Sequence, residues 1–168
     1  MHGMAAGESD SRAFLDKSHE LALWMIQLAD TKASILTAAS AGLAGLLFLQ
    51  PIPTCNSAAR YVLLVAVGFA LLSTFACLET IYPRTSPREQ GSLLYFRAIR
   101  TFVQQGYVTR VGGISAAETV RELARQTWEL AGTQERKYLW LRRSVVAFAL
   151  ALVPAAIGLV WAHWPCAV

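Results

Sequence analysis

The sequence predicts an all-α fold: a multi-pass membrane protein with three transmembrane helices and long helical cytoplasmic extensions. Three observations carry this expectation. The 168 residues are 55% hydrophobic and only 15% charged, with a mean hydropathy of +0.40; average globular domains carry roughly 25% charged residues. The deficit is concentrated in three stretches without an acid or base, 33–49, 61–78 and 144–162. Each approaches the ~20 apolar residues, with about 17 as the lower limit, that cross a hydrocarbon core of roughly 30 Å. No segment shows the apolar–polar alternation of a strand. Buried helices of a soluble bundle would carry a polar stripe, and these stretches carry none.

The elements follow in chain order. Residues 1–10 are polar and read as a disordered N-terminus. From Ser11 the pattern turns helical, with Phe14, Leu21, Met25 and Leu28 at helical spacing among charges. No breaker separates this amphipathic stretch from the first span (33–49). One helix is therefore expected over 11–49, stopped by Pro51 and Pro53. Ser34, Ala38, Ala41, Gly42 and Gly45 share one face of that span. Small residues let helices approach closely in lipid, so the face is a candidate for packing against the second span or another copy of the chain.

The second span covers 61–82 and holds Glu79 near its inner end. Lys32 opens the first span at the same depth, and antiparallel neighbours would bring the two together. A Lys32–Glu79 ion pair is expected, because charge near a bilayer is costly unless paired or functional; both side chains reaching headgroup water is the other reading.

Residues 83–143 read as a helical segment. Ser86-Pro87-Arg88-Glu89 is a capping box that starts a helix running to about Gln105. Leu93, Phe96, Ile99 and Val103 form its apolar stripe, Gly106 ends it, and Tyr107–Gly113 is read as a loop. Ser115-Ala116-Ala117-Glu118 is a second capping box. Nothing stops the helix that follows before the third span (144–162), so one helix is expected over about 116–162, roughly 70 Å at 1.5 Å per residue. Pro154 is tolerated because neighbouring membrane helices can re-satisfy the freed carbonyl. Residues 163–168 form a short tail.

Orientation follows from the bases. Arg12, Lys17 and Lys32 precede or open the first span, eleven bases lie between Pro83 and Arg143, Arg60 stands alone in the connection between the first two spans, and the tail has none. Three spans place the N-terminus and the 83–143 segment on one side, which then holds fourteen of the fifteen bases. That side is expected to be the cytoplasm and the C-terminus periplasmic. Tyr82 and Trp140 at the inner boundary, with Tyr61, Trp161 and Trp164 at the outer, fit interfacial belts. The acid-rich first 32 residues do not resemble a cleaved signal peptide. The three cysteines fit no metal spacing. Cys55 and Cys166 fall on the outer side, where a disulfide is chemically open to them; two unrelated small residues is the bland reading.

Catalytic patterns are missing. No P-loop, dinucleotide glycine fingerprint or serine nucleophile elbow occurs. His2, His19 and His163 are scattered, and Glu118, Glu122 and Glu129 have the spacing of a solvated helix face. This argues against an enzyme, and no metal or cofactor is expected. The bases of the 83–143 segment alternate with Glu beside a bilayer, so anionic lipid and topology account for them before nucleic acid does.

At Ala29-Asp30-Thr31-Lys32-Ala33-Ser34 the chain resembles a known family, the transmembrane effectors of Pycsar, the pyrimidine cyclase system for antiphage resistance. Family members show an Ala-Asp-x-Lys-Ala entry into the first span and a Tyr-Phe-Arg-x-Ile-like element after the second, here Tyr95-Phe96-Arg97-Ala98-Ile99. A later element with Gln and then Lys-Tyr leads into the last span. Here it is Arg125-Gln126-Thr127-Trp128 followed by Lys137-Tyr138-Leu139-Trp140-Leu141-Arg142. The likeness covers roughly residues 14–160.

The resemblance implies that a partner cyclase makes cyclic CMP or cyclic UMP upon phage infection. The effector senses the nucleotide and disrupts the bacterial inner membrane, and the host dies before phage matures. A cyclic nucleotide offers one anionic phosphate and a flat base. Arginine holds the first and an aromatic ring stacks on the second. Arg97, Arg100, Arg110 and Tyr107 supply both types near one helix end and are the expected ligand-sensing residues; membrane anchoring is the competing role for each arginine. There is no room for a separate β-roll nucleotide-binding domain, and three helices cannot enclose a wide pore, so a homo-oligomer is expected. A ligand-free membrane scaffold or partner-binding subunit, and an unregulated channel or toxin, are the alternatives.

Overall fold

The computed structural model describes residues 2–51, 57–82, 99–100 and 102–163, with side chains from Arg12 onward. Among the described residues four helices form: α1 (His2–Phe48), α2 (Ser57–Ile81), α3 (Gln104–Gly112) and α4 (Ala116–Ala162). No strand occurs among the described residues. Three of the helices, α1, α2 and α4, are long and apolar enough to cross a membrane. The chain is an all-α membrane protein of three such helices, as its composition predicts.

Two compact units divide the chain. The first takes Met1–Ile26 and Pro83–Glu135, the second Gln27–Tyr82 and Arg136–Val168. The second unit holds the apolar spans. Its interior is built from small residues: Ala29, Ala33, Ser40 and Ala44 on α1; Ala59, Ala66, Ala70, Ser73 and Ala76 on α2; Ser144, Ala147, Ala151, Ala155 and Gly158 on α4. They recur at three- and four-residue spacing, so each helix turns one narrow seam inward. Lipid supplies no hydrophobic drive between helices, and association there depends on close contact and interhelical hydrogen bonds. Both are present. Ser73 Oγ donates to the Ser144 carbonyl at 2.9 Å, joining α2 to α4. Ser40 Oγ and Thr74 Oγ1 share a hydrogen bond of 2.8 Å, joining α1 to α2. Leu47, Leu63, Ala66 and Ala155 pack together at one level and Ala33, Cys77 and Leu141 at another.

The seam on α1 is not the stripe singled out from sequence. Ser34, Ala38, Ala41, Gly42 and Gly45 are all exposed, and nothing in the chain lies within 4 Å of a Cβ built on either glycine. The first span has small residues on two faces, and packing against α2 uses the Ala33–Ser40–Ala44 face. The other face has no partner among the described residues.

Ala116–Ala162 has the bounds its capping box and lack of breakers predict. α1 begins at His2 and runs without interruption into the first span. The region before α4 departs from expectation. The stretch read as a loop, Tyr107–Gly113, is mostly α3, and Gly106 lies in its first turn. The break falls earlier, at Val103, whose φ of −68° and ψ of 139° are extended. A β-branched residue accepts that conformation readily, whereas a glycine in a first helical turn costs little. The first capping box at Ser86 and the Cys55–Cys166 pairing lie outside the described residues.

Candidate ligand site

The first unit contains an open groove of about 740 Å³ between α3 and the first turns of α4. This falls within the roughly 300–1,000 Å³ typical of small-molecule sites. Local sequence builds it. α3 ends at Gly112, where the Gly113 N–H bonds the Thr109 carbonyl at 3.2 Å and the Ile114 N–H bonds the Val111 carbonyl at 3.3 Å. Two residues later α4 starts on its capping box. The Glu118 N–H donates to Ser115 Oγ at 3.2 Å, and the Ser115 N–H and hydroxyl both donate to Glu118 Oε2 at 3.0 Å. The short connection sets the last turn of α3 against the first three turns of α4.

Three arginines line the groove: Arg110 from α3, and Arg121 and Arg125 from α4. Their circumstances differ. Arg125 is occupied: its guanidinium bonds Glu122 at 2.8 Å and Glu129 at 3.3 Å. Arg110 and Arg121 form no ion pair among the described residues, and both act electrostatically on Glu118. The Glu118 carboxyl is held below the usual glutamate range, first by the Ser115 backbone N–H, then by the Ser115 hydroxyl, with Arg110 and Arg121 adding to the effect. It is thus ionised and committed to the cap. Gln105 and Thr109 add polar groups to the α3 wall, where Thr109 Oγ1 donates to the Gln105 carbonyl at 2.9 Å and keeps its lone pairs for another donor.

The sequence-predicted ligand residues are distributed as follows. Arg110 lines the groove. Tyr107 is half-buried and turned against Phe102, ring centroids 6.2 Å apart at 48°, and does not line it. Arg100 is exposed in the turn that precedes α3. Arg97 lies outside the described residues. Arg121 and Arg125, which also line the groove, are not among the residues the sequence singles out for ligand. The signal for them was the Gly112-Gly113 pair, which folds Arg110 back toward whatever begins the next helix. Among the described residues no cluster of His, Cys, Asp and Glu could hold a metal ion.

In the second unit, Asp30 on α1 is ion-paired with Lys137 on α4. Lys32 is exposed and Glu79 half-buried. Ala33 and Tyr138, beside that pair, meet at one core level around Cys77 and Leu141. Two of the quoted sequence elements, Ala29–Ser34 and Lys137–Arg142, are thereby brought together. A model of the Pycsar effector protein domain matches residues 14–164. The chain belongs to this family. It is an antiphage effector with transmembrane helices, from a family that implies a cyclic nucleotide cyclase as partner. The Pycsar effector domain is not a known catalytic family. No curated protein and no solved structure matched the chain.

Proposed function

We propose that this Pycsar family member is activated by a cyclic pyrimidine nucleotide, cyclic CMP or cyclic UMP, and then disrupts the bacterial inner membrane, causing abortive infection. The observation that carries the proposal is the α3–α4 groove, a cavity of nucleotide size with two arginines that have no ion-pair partner among the described residues. In this reading Arg110 and Arg121 take the cyclic phosphate, and Gln105 and Thr109 face the pyrimidine edge. Arg100 lies just before α3, and Arg97 and Tyr107 stay ligand candidates on the sequence pattern. A cyclic phosphate carries a single charge, which suits a groove whose third arginine is already neutralised. The N-terminus and the 83–143 segment face the cytoplasm, where a cyclase would release its product, and the C-terminus is periplasmic, on the balance of bases. Damage proceeds through a homo-oligomer whose open state the nucleotide binds better than its closed state.

The test is dye release from liposomes bearing the purified protein, with cyclic UMP, cyclic CMP and cyclic AMP as probes. Release is expected with a pyrimidine nucleotide only, and is expected to be lost in R110Q and R121Q. Release without nucleotide would identify an unregulated channel or toxin. No release with any of them would leave the scaffold reading.

A further inference from the structure

A separate groove of about 340 Å³ lies within the second unit, between α2 and α4. Its chemistry changes along its length. Arg142 and Arg143 line it one turn after Leu139 on α4, and Phe69, Leu72, Val146, Ala147 and Leu150 line the rest. Leu72, Val146 and Leu150 are each about half exposed within the chain. Among the described residues no carboxylate borders the groove and neither arginine has an ion pair. The Arg143 guanidinium sits 4.8 Å from the centre of the Trp140 ring, a contact that fixes its direction. From Arg143 to Leu150 the helix rises about 10 Å, the length of several methylenes.

Two adjacent cationic groups continuous with an apolar trough have the polarity of one molecular class, a phospholipid. Two guanidiniums without counter-ions favour a headgroup whose phosphate is not offset by an ammonium. We propose that an anionic phospholipid occupies this groove, its phosphate on Arg142 and Arg143 and one acyl chain along Phe69, Leu72, Val146 and Leu150. The lipid bridges α2 and α4 beside the Ser73–Ser144 hydrogen bond and makes the helix pair sensitive to membrane composition. The proposal requires only that the apolar helices lie in a bilayer, and it is independent of nucleotide activation.

The test uses the full chain in neutral detergent, titrated with phosphatidylglycerol or phosphatidylcholine of identical acyl chains, with bound lipids counted by native mass spectrometry. Retention of phosphatidylglycerol over phosphatidylcholine is expected. R142Q and R143Q should each weaken it about fivefold, the scale of one base at an anionic surface. R136Q removes an exposed charge outside the groove and should change nothing. V146W fills the trough and should abolish binding. Equal retention of both lipids, an R136Q effect as large as that of R142Q, or full binding by V146W would each overturn the proposal. Should a glutamine variant lose helicity by circular dichroism, R142K and R143K take its place, with the phosphatidylglycerol preference expected to survive; its loss would count against the site.

Discussion

Asp30 on α1 and Lys137 on α4 form an ion pair across 107 residues of sequence. Lys137 is the more enclosed, its side chain 14% exposed against 37% for Asp30. That asymmetry sets the expected damage. Asp30→Asn leaves a poorly solvated ammonium without its counter-charge, whereas Lys137→Met leaves a carboxylate that still reaches water. A fully buried pair broken on one side costs about 3–5 kcal/mol; partial exposure reduces this to roughly 1–3 kcal/mol. Thermal unfolding in detergent should rank Asp30→Asn as the worse single change. The Asp30→Leu/Lys137→Leu double variant should be more stable than Asp30→Asn. Simple additivity of the two sites would mean that the pair does not couple the helices.

Gly158 faces Leu63 so closely that a Cβ placed on it would lie 2.6 Å from Leu63 Cδ2 and 2.7 Å from Cγ. Gly158→Ala must therefore push Leu63 out of the Leu47–Ala66–Ala155 level. Overpacking of this kind costs about 1–3 kcal/mol. Leu63→Ala removes the obstruction, so Gly158→Ala should cost less in the Leu63→Ala background than in the parent. The unfolding midpoints of the four proteins give that comparison directly. An equal cost in both backgrounds would exclude the clash as its cause.

These two contacts mark where sequence stops being sufficient. The spans were legible because apolar length is a one-dimensional property, and the α4 bounds because Ser115 and Glu118 are local partners. The Asp30–Lys137 pair depends on how two helices are rotated about their axes. Ala29 and Ala33 are the residues turned inward, which brings the neighbouring Asp30 to Lys137 on α4, while Lys32 is exposed. The same rotation decides which small-residue face of α1 is buried. In the first unit Gly106 was read as a terminator, yet the chain extends at Val103 instead. The groove then follows from the position of α3, and of the three described residues expected to sense ligand, Arg100, Tyr107 and Arg110, it is Arg110 that lines it.

Ser115 and Glu118 hold the start of α4 reciprocally, and the linkage to pH has a definite sign. Glu118 is depressed in the folded chain. The stability it contributes is therefore present above the ordinary glutamate pKa and is lost as pH falls through the lower folded-state value. Amide protection factors over residues 115–120, exchange rates corrected for the intrinsic pH dependence, should hold steady at neutral pH and fall only in acid. Glu118→Gln should flatten that dependence, since the amide carries no proton to titrate. Ser115→Ala should speed exchange at every pH, corresponding to about 1 kcal/mol for loss of a serine cap. Acid loss of protection that persists undiminished in Glu118→Gln would assign the effect to another group.

The exposed α1 face gives the sharpest contrast with Gly158. Gly42 and Gly45 have nothing within 4 Å of an added Cβ, and Ser34, Ala38 and Ala41 beside them are exposed. Leucine at both glycines should leave the fold alone, with unfolding midpoints shifted by no more than about 0.5 kcal/mol, as for surface positions generally. If copies of the chain associate through this face, the same change holds two helix backbones apart and removes the close contact that drives association in lipid. Single-molecule photobleaching in bilayers should then show the parent as multi-copy spots and Gly42→Leu/Gly45→Leu as single copies. Nucleotide-triggered dye release should fall with the oligomer. Multi-copy spots that persist in the double variant would move the subunit interface to another helix face and leave this one to lipid.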